Sequence, residues 1–182
     1  MKFLSSLAVV AGLVLAAPAV HAAPIYADSV VAFTKGFVEQ DVAGRSDPTA
    51  ALGAADGSFV SLGFGGSIVL AFAQPFKAIG QVFEVTFNDK SRHKETADVY
   101  VGNGVTWTLI ASLKNHLSTN FSAAGIFTQL KIVDTSNAKG ATFDGFDIDS
   151  VQVSPVPVPA AGFLLGGALL GLGALRRRAR KA

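Results

Sequence analysis

The sequence predicts an all-β fold, an antiparallel β-sandwich or jelly roll, flanked by an N-terminal signal helix and a C-terminal transmembrane helix. Two observations carry the β assignment. Short runs rich in Val, Phe and Thr alternate apolar with polar residues and are separated by glycine-bearing turns. No segment between the apolar ends shows an apolar stripe at helical spacing.

Taken in order, weak strand signals lie at Ser29 to Thr34 and Phe59 to Leu62, around a polar, turn-prone stretch from Lys35 to Ala55 that is expected to wrap an edge. Ser67 to Ala73 puts Ile68, Leu70 and Phe72 on one face, and Gly65-Gly66 and Pro75 bound it. Val82 to Phe87 places Phe83, Val85 and Phe87 on one side, so that Glu84 is free to face solvent. Ala97 to Val101 and Val105 to Ile110 flank Gly102-Asn103-Gly104, a hairpin signal because Asn-Gly adopts positive φ at little cost. Phe127 to Val133 and Asp147 to Val153 complete the set. Strands of this length and spacing suit a sandwich.

The ends read differently. Residues 1–22 have a positive start, an apolar run and a small-x-small site at Val20-His21-Ala22, the organisation of a signal peptide, which assigns 23–153 to the sandwich. Residues 154–159 form a Pro-rich linker, 160–175 an apolar run and 176–182 a basic tail. The run has 16 residues where a helix spanning a bilayer needs about 20, and the stems of Arg176, Arg177 and Arg178 extend its reach by snorkelling. Those arginines are the stop and orientation signal and are expected to stay cytoplasmic.

Val156-Pro157-Val158-Pro159-Ala160, followed by a glycine-rich helix and an arginine-rich end, resembles the PEP-CTERM class of bacterial sorting signals in its VPLPA variant. Val158 stands where that variant usually has Leu, and the Glu of the Pro-Glu-Pro form is missing. The resemblance implies processing by an exosortase, a membrane cysteine protease that cuts near the motif and passes the protein towards the surface. It implies export, a transient stay in the inner membrane through the C-terminal helix, then the cell surface or the biofilm matrix of a Gram-negative bacterium that makes exopolysaccharide. An ordinary tail anchor is the alternative.

A second resemblance covers the middle. Leu52 to Gly57, Ser61 to Leu70, Val82-Phe83-Glu84, Ala97 to Val101 and Gly145 to Asp149 follow in an order similar to that of discoidin-like, galactose-binding-type sandwiches. Such folds host lectins, adhesins and enzyme accessory modules, so the fold alone does not name a function.

Charge and composition exclude some classes. Of 15 basic residues, Lys2 and five in the tail lie outside the sandwich, leaving nine against 13 acidic residues, a net of −4 that argues against a nucleic-acid partner. Cysteine is absent, and with it disulfides, thiolate metal sites and cysteine nucleophiles.

Asp147 and Asp149 fall on one face of an extended strand, about 7 Å apart, and with Asp56, Glu84 and Asp98 they are the candidate ligands of a structural calcium ion. Acids that cap turns and coat a solvated face are the competing reading. Trp107, just after the hairpin turn, is a candidate to stack on a sugar, although a tryptophan there is more often core. His93 and His116 lie in loops without a nucleophile motif, and neither Gly-x-Ser-x-Gly nor His-Glu-x-x-His occurs. The expectation is therefore a surface or matrix protein with a binding or structural role and no catalysis. A carbohydrate-binding module acting on exopolysaccharide is one alternative. A polysaccharide hydrolase is the other, because its paired carboxylates need no local motif.

Overall fold

The computed structural model describes residues 23–40, 43–85, 94–114, 118–137, 143–156 and 167–168. Among these, eight strands run in the order β1 (Ile25–Tyr26), β2 (Ser29–Thr34), β3 (Val60–Ser61), β4 (Ser67–Glu84), β5 (Thr96–Gly102), β6 (Trp107–Lys114), β7 (Ser118–Asp134) and β8 (Asp147–Pro155). They form one antiparallel sheet with the path β1-β8-β4-β7-β5-β6, while β2 pairs with β4 and β3 with β8. The fold is all-β, as the alternation predicts, and consistent with a sandwich.

The long strands explain how one sheet makes two layers. β4 has 18 residues, which if straight would reach about 60 Å, far beyond the span of a small domain. Its first half pairs with β2, its second half with β8, and β7 accompanies both. The β4–β7 ladder slips between Ala71 and Phe76, the corner at which the sheet folds over. Ile68, Leu70 and Phe72 before the corner, and Phe76, Ala78 and Val82 after it, enter one core with Val99, Leu130, Ile132, Ile148 and Val151. Full burial stabilises each such large side chain by about 1.5–3 kcal/mol.

This path corrects several expectations. Pro75 does not end a strand, because at the corner the ladder is interrupted and its missing N–H leaves no gap. One alternation phase runs through both halves of β4, so Val82 and Glu84 point inward and Phe83 is only half-buried, the reverse of the predicted face. Glu84 is 3% exposed instead of facing solvent. Val105 lies in the turn at 86% exposure, and β6 begins at Trp107. The Lys35 to Ala55 stretch does more than wrap an edge: a 3-10 turn at Pro48–Ala51 inserts the fully buried Ala51 into the core. Asp47 caps that turn by accepting from the Thr49 hydroxyl at 2.7 Å and amide at 2.9 Å, which hold its carboxyl below the ordinary value. β1 and the first half of β7 carry no signal in the sequence.

Folding over gives the molecule two unlike ends. Both termini of β4 and of β7, with the starts of β5 and β8, meet at one end, where Ser67 faces Val133, Phe83 faces Ser118, Glu84 faces Ile148 and Ala97 faces Asp134. The corner and the hairpin turn form the other, and there Val156 N–H donates to the Pro75 carbonyl at 3.1 Å. Among the described residues no helix is long and apolar enough to cross a membrane. The signal segment at 1–22 lies outside those residues, as do Pro157 to Ala160, Arg176 to Arg178 and all of the 160–175 run except 167–168.

Candidate functional site

The outer face of the first layer gathers the polar and aromatic groups most suited to a ligand. β5 buries Ala97, Val99 and Val101, so Asp98, Tyr100 and Gly102 point outward. Trp107 is the register partner of Gly102, and a Cβ on that glycine would lie 2.9 Å from the indole Cε3, so only glycine lets the ring lie across the hairpin. On the next strand Lys131 faces Tyr100, and its Nζ sits 5.9 Å from the Tyr100 centroid and 5.9 Å from that of Trp107. An ammonium at that distance interacts favourably with both π faces and is thereby held over the sheet. Gln129, opposite Gly102, adds a carboxamide beside Gly104. Trp107 is half-buried on this face, outside the core that a tryptophan more often joins. Sequence alone flagged Trp107; Tyr100 and Lys131 join it only through cross-strand register.

The five candidate calcium ligands do not come together. Asp98 lies on the outer face and accepts from Ser112 Oγ at 2.6 Å. Asp149 accepts from the backbone amides of Asp56 and Gly57 at 3.1 and 3.0 Å, and Asp56 accepts from Ser58 N–H at 2.8 Å, so these two acids build a turn. Strict alternation over Asp147 and Asp149 also fails: Glu84 pairs with Ile148 and Phe83 with Ser150, which makes Asp149 the extra residue of a β-bulge. Among the described residues no group of three or more His, Asp or Glu side chains is arranged to hold a metal ion. Both His93 and His116 lie outside them.

Asp147 instead belongs to a buried polar network at the end where the strand termini meet. Arg45 Nη1 donates to Asp144 Oδ2 at 2.8 Å, and Ser61 Oγ lies 3.1 Å from Asp144 Oδ2 and 2.5 Å from Asp147 Oδ1. Burial pushes the Asp147 carboxyl up to about 8; Glu95 and Asp144 push the same way, against the Ser61 hydrogen bond and Arg45. Ser61 Oγ carries one proton and faces both carboxyls, so it donates to one of them at a time, to Asp144 when Asp147 holds its own proton.

No protein-family model matches the sequence, and no curated protein matches it. Among solved structures the chain is similar to the C-terminal domain of a chitobiase from Bacteroides fragilis, at 12% identity and a TM-score of 0.54, over 71% of this chain and 94% of that one. The two share a fold. Also similar are the family 32 carbohydrate-binding module from Streptococcus pneumoniae EndoD, at 14% identity and TM-score 0.49 over 70% and 95% of the chains, and the family 32 module from Clostridium perfringens NanJ in complex with galactose, at 12% and 0.46 over 72% and 98%.

Proposed function

We propose that this protein is an exported, non-catalytic polysaccharide-binding protein of the bacterial surface or matrix, processed by an exosortase-like protease. The observation that carries the binding role is the half-buried Trp107 and Tyr100 with the Lys131 ammonium over both. When a ligand displaces the Lys131 ammonium from above the rings, the indole face covers the C–H face of a sugar ring and the displaced ammonium donates to a hydroxyl or a sugar carboxylate. The fold shared with a chitobiase domain supports a carbohydrate context. Trp107→Ala in the purified protein is expected to weaken binding to the host exopolysaccharide about tenfold or more with little change in Tm. Binding equal to the parent's would overturn the reading.

For sorting, the support is the order of motif, apolar run and basic tail in residues 156–182. With both Pro157 and Pro159 replaced by alanine, export is expected to continue while the tail is retained, as read by the intact mass of the surface and membrane forms. Normal tail removal in that variant would refute the protease assignment.

A further inference from the structure

On the second layer, the register aligns Tyr26, Gln152, Gln81 and Asn120 in one row across β1, β8, β4 and β7. Their neighbours Val82, Phe121, Val151 and Val153 are buried, so the row lies on the outer face, opposite in the sandwich to Trp107. The surface there is hollow for a reason visible in the ladders. Between Lys77 and Gly80 the β4 strand slips against β8, and between Lys77 and Ile79 it slips against β7, so bulges on both sides bend the sheet beside the row. Gly80 lets β4 and β8 lie close beside the row, since a Cβ on it would lie 2.2 Å from the Gln152 carbonyl oxygen and 2.7 Å from the buried Phe121 ring.

The result is an open cavity of about 400 Å³ lined by Gln81, Asn120, Gln152, Ser122 and Ser154 together with Gly80, Phe121 and the 46%-exposed Ile79. Carboxamides and hydroxyls supply every polar side chain of the lining, and no ionisable group contributes. Among the described residues, the three carboxamides have no side-chain hydrogen-bond partner in the protein. Each offers two N–H donors and a carbonyl acceptor. Within the lining an ionic ligand would find no countercharge, the basic Lys77 standing outside it as the register neighbour of Ser154, and an apolar ligand would strip water from three amides and leave them unpaired. A polyhydroxylated neutral ligand satisfies them, because every hydroxyl both donates and accepts.

We infer that the hollow over Gln81, Asn120 and Gln152 is a second glycan site, selective for uncharged sugar residues. It stands independently of the Trp107 face. Two sites on opposite faces allow one chain to hold two polysaccharide strands at once, the requirement for a cross-linker of a matrix.

The test uses the purified full chain with neutral gluco-, galacto- and manno-oligosaccharides as probes, uronate oligosaccharides in parallel, and NMR of the side-chain amide groups as readout. Neutral probes are expected to shift the NH₂ signals of Gln81, Asn120 and Gln152, with an affinity that salt and pH leave unchanged. The double variant Gln81→Leu with Gln152→Leu should lose about tenfold or more in that affinity while it keeps binding at the Trp107 face. Trp107→Ala should show the converse. The proposal is overturned if no neutral probe moves these signals at millimolar concentration, or if the double variant, shown folded by its backbone spectrum, binds neutral probes as the parent does.

Discussion

Asp134→Ala is expected to cost about 3–6 kcal/mol of folding stability, because hydrogen bonds to charged groups contribute about 1.5–3 kcal/mol each and this side chain closes two tertiary ones. Asp134 is 2% exposed at the end of β7. Its Oδ1 accepts from Gly65 N–H at 3.1 Å and its Oδ2 from Phe146 N–H at 2.8 Å, which fastens two separate loops to one strand end. Ser136 adds its amide at 3.1 Å and its hydroxyl at 2.7 Å. Only a group made of acceptors serves four donors. Asp134→Asn is therefore expected to lose nearly as much as alanine, since its NH₂ would face backbone N–H groups. Urea unfolding of both variants measures this, and a loss below about 1 kcal/mol for alanine would be too small for a group whose donors are left unpaired. The loss is a large share of a typical total of about 5–15 kcal/mol.

Asp147→Asn is expected to flatten the dependence of Tm on pH. The Asp147 carboxyl is raised from 3.8 to about 8 in the fold, so between those values the folded state holds a proton that the unfolded state has released. Stability therefore falls as pH rises through that window, by at most about 1.4 kcal/mol per pH unit. Below the window both states are protonated and the penalty is absent; above it both are ionised and the penalty is complete. Asparagine has nearly the same shape, keeps a carbonyl oxygen to accept from Ser61 Oγ and carries no proton to lose. Tm measured across this range should drop less in the variant, with the difference growing towards the alkaline side. Parallel curves would show that the buried Arg45–Asp144–Ser61–Asp147 network does not depend on that proton.

Some of this was legible in the residues. Ile68, Leu70 and Phe72 declare a half-buried strand, because a two-residue period is a local property of extended backbone. The hairpin was equally local: Gly104 adopts φ +91°, and the Asn103 side chain accepts from the amides of Val105 and Thr106. Glu84 is misplaced from sequence because Pro75 reads as a break between two strands, and once they are separated nothing in the sequence ties the phase of Val82-Phe83-Glu84 to that of Ile68. The first half of β7 was invisible, since between Ser118 and Ile126 only Phe121 is a buried hydrophobic residue.

The site was legible only in part, for a related reason. Trp107 draws notice as an isolated aromatic beside a turn, whereas Lys131 and Gln81 look like ordinary polar residues on the wet side of a strand. The five acids form a plausible cation set by type, but hydrogen bonds to Ser112, Ser61 and the Asp56–Gly57 turn divide four of them, Asp98, Asp147, Asp149 and Asp56, among three places.

By itself, then, the sequence determined what depends on near neighbours along the chain: the β class, the hairpin, the inward face of β4 before its corner, and the apolar and basic character of the ends. The tertiary structure decided what depends on pairing between distant segments. It folded β4 and β7 over one corner, set which acids are buried together, and aligned Gln152, Gln81 and Asn120 in one row. Register causes the difference: a strand's alternation fixes two faces, but only its hydrogen-bonded partners fix which residues of other strands share each face.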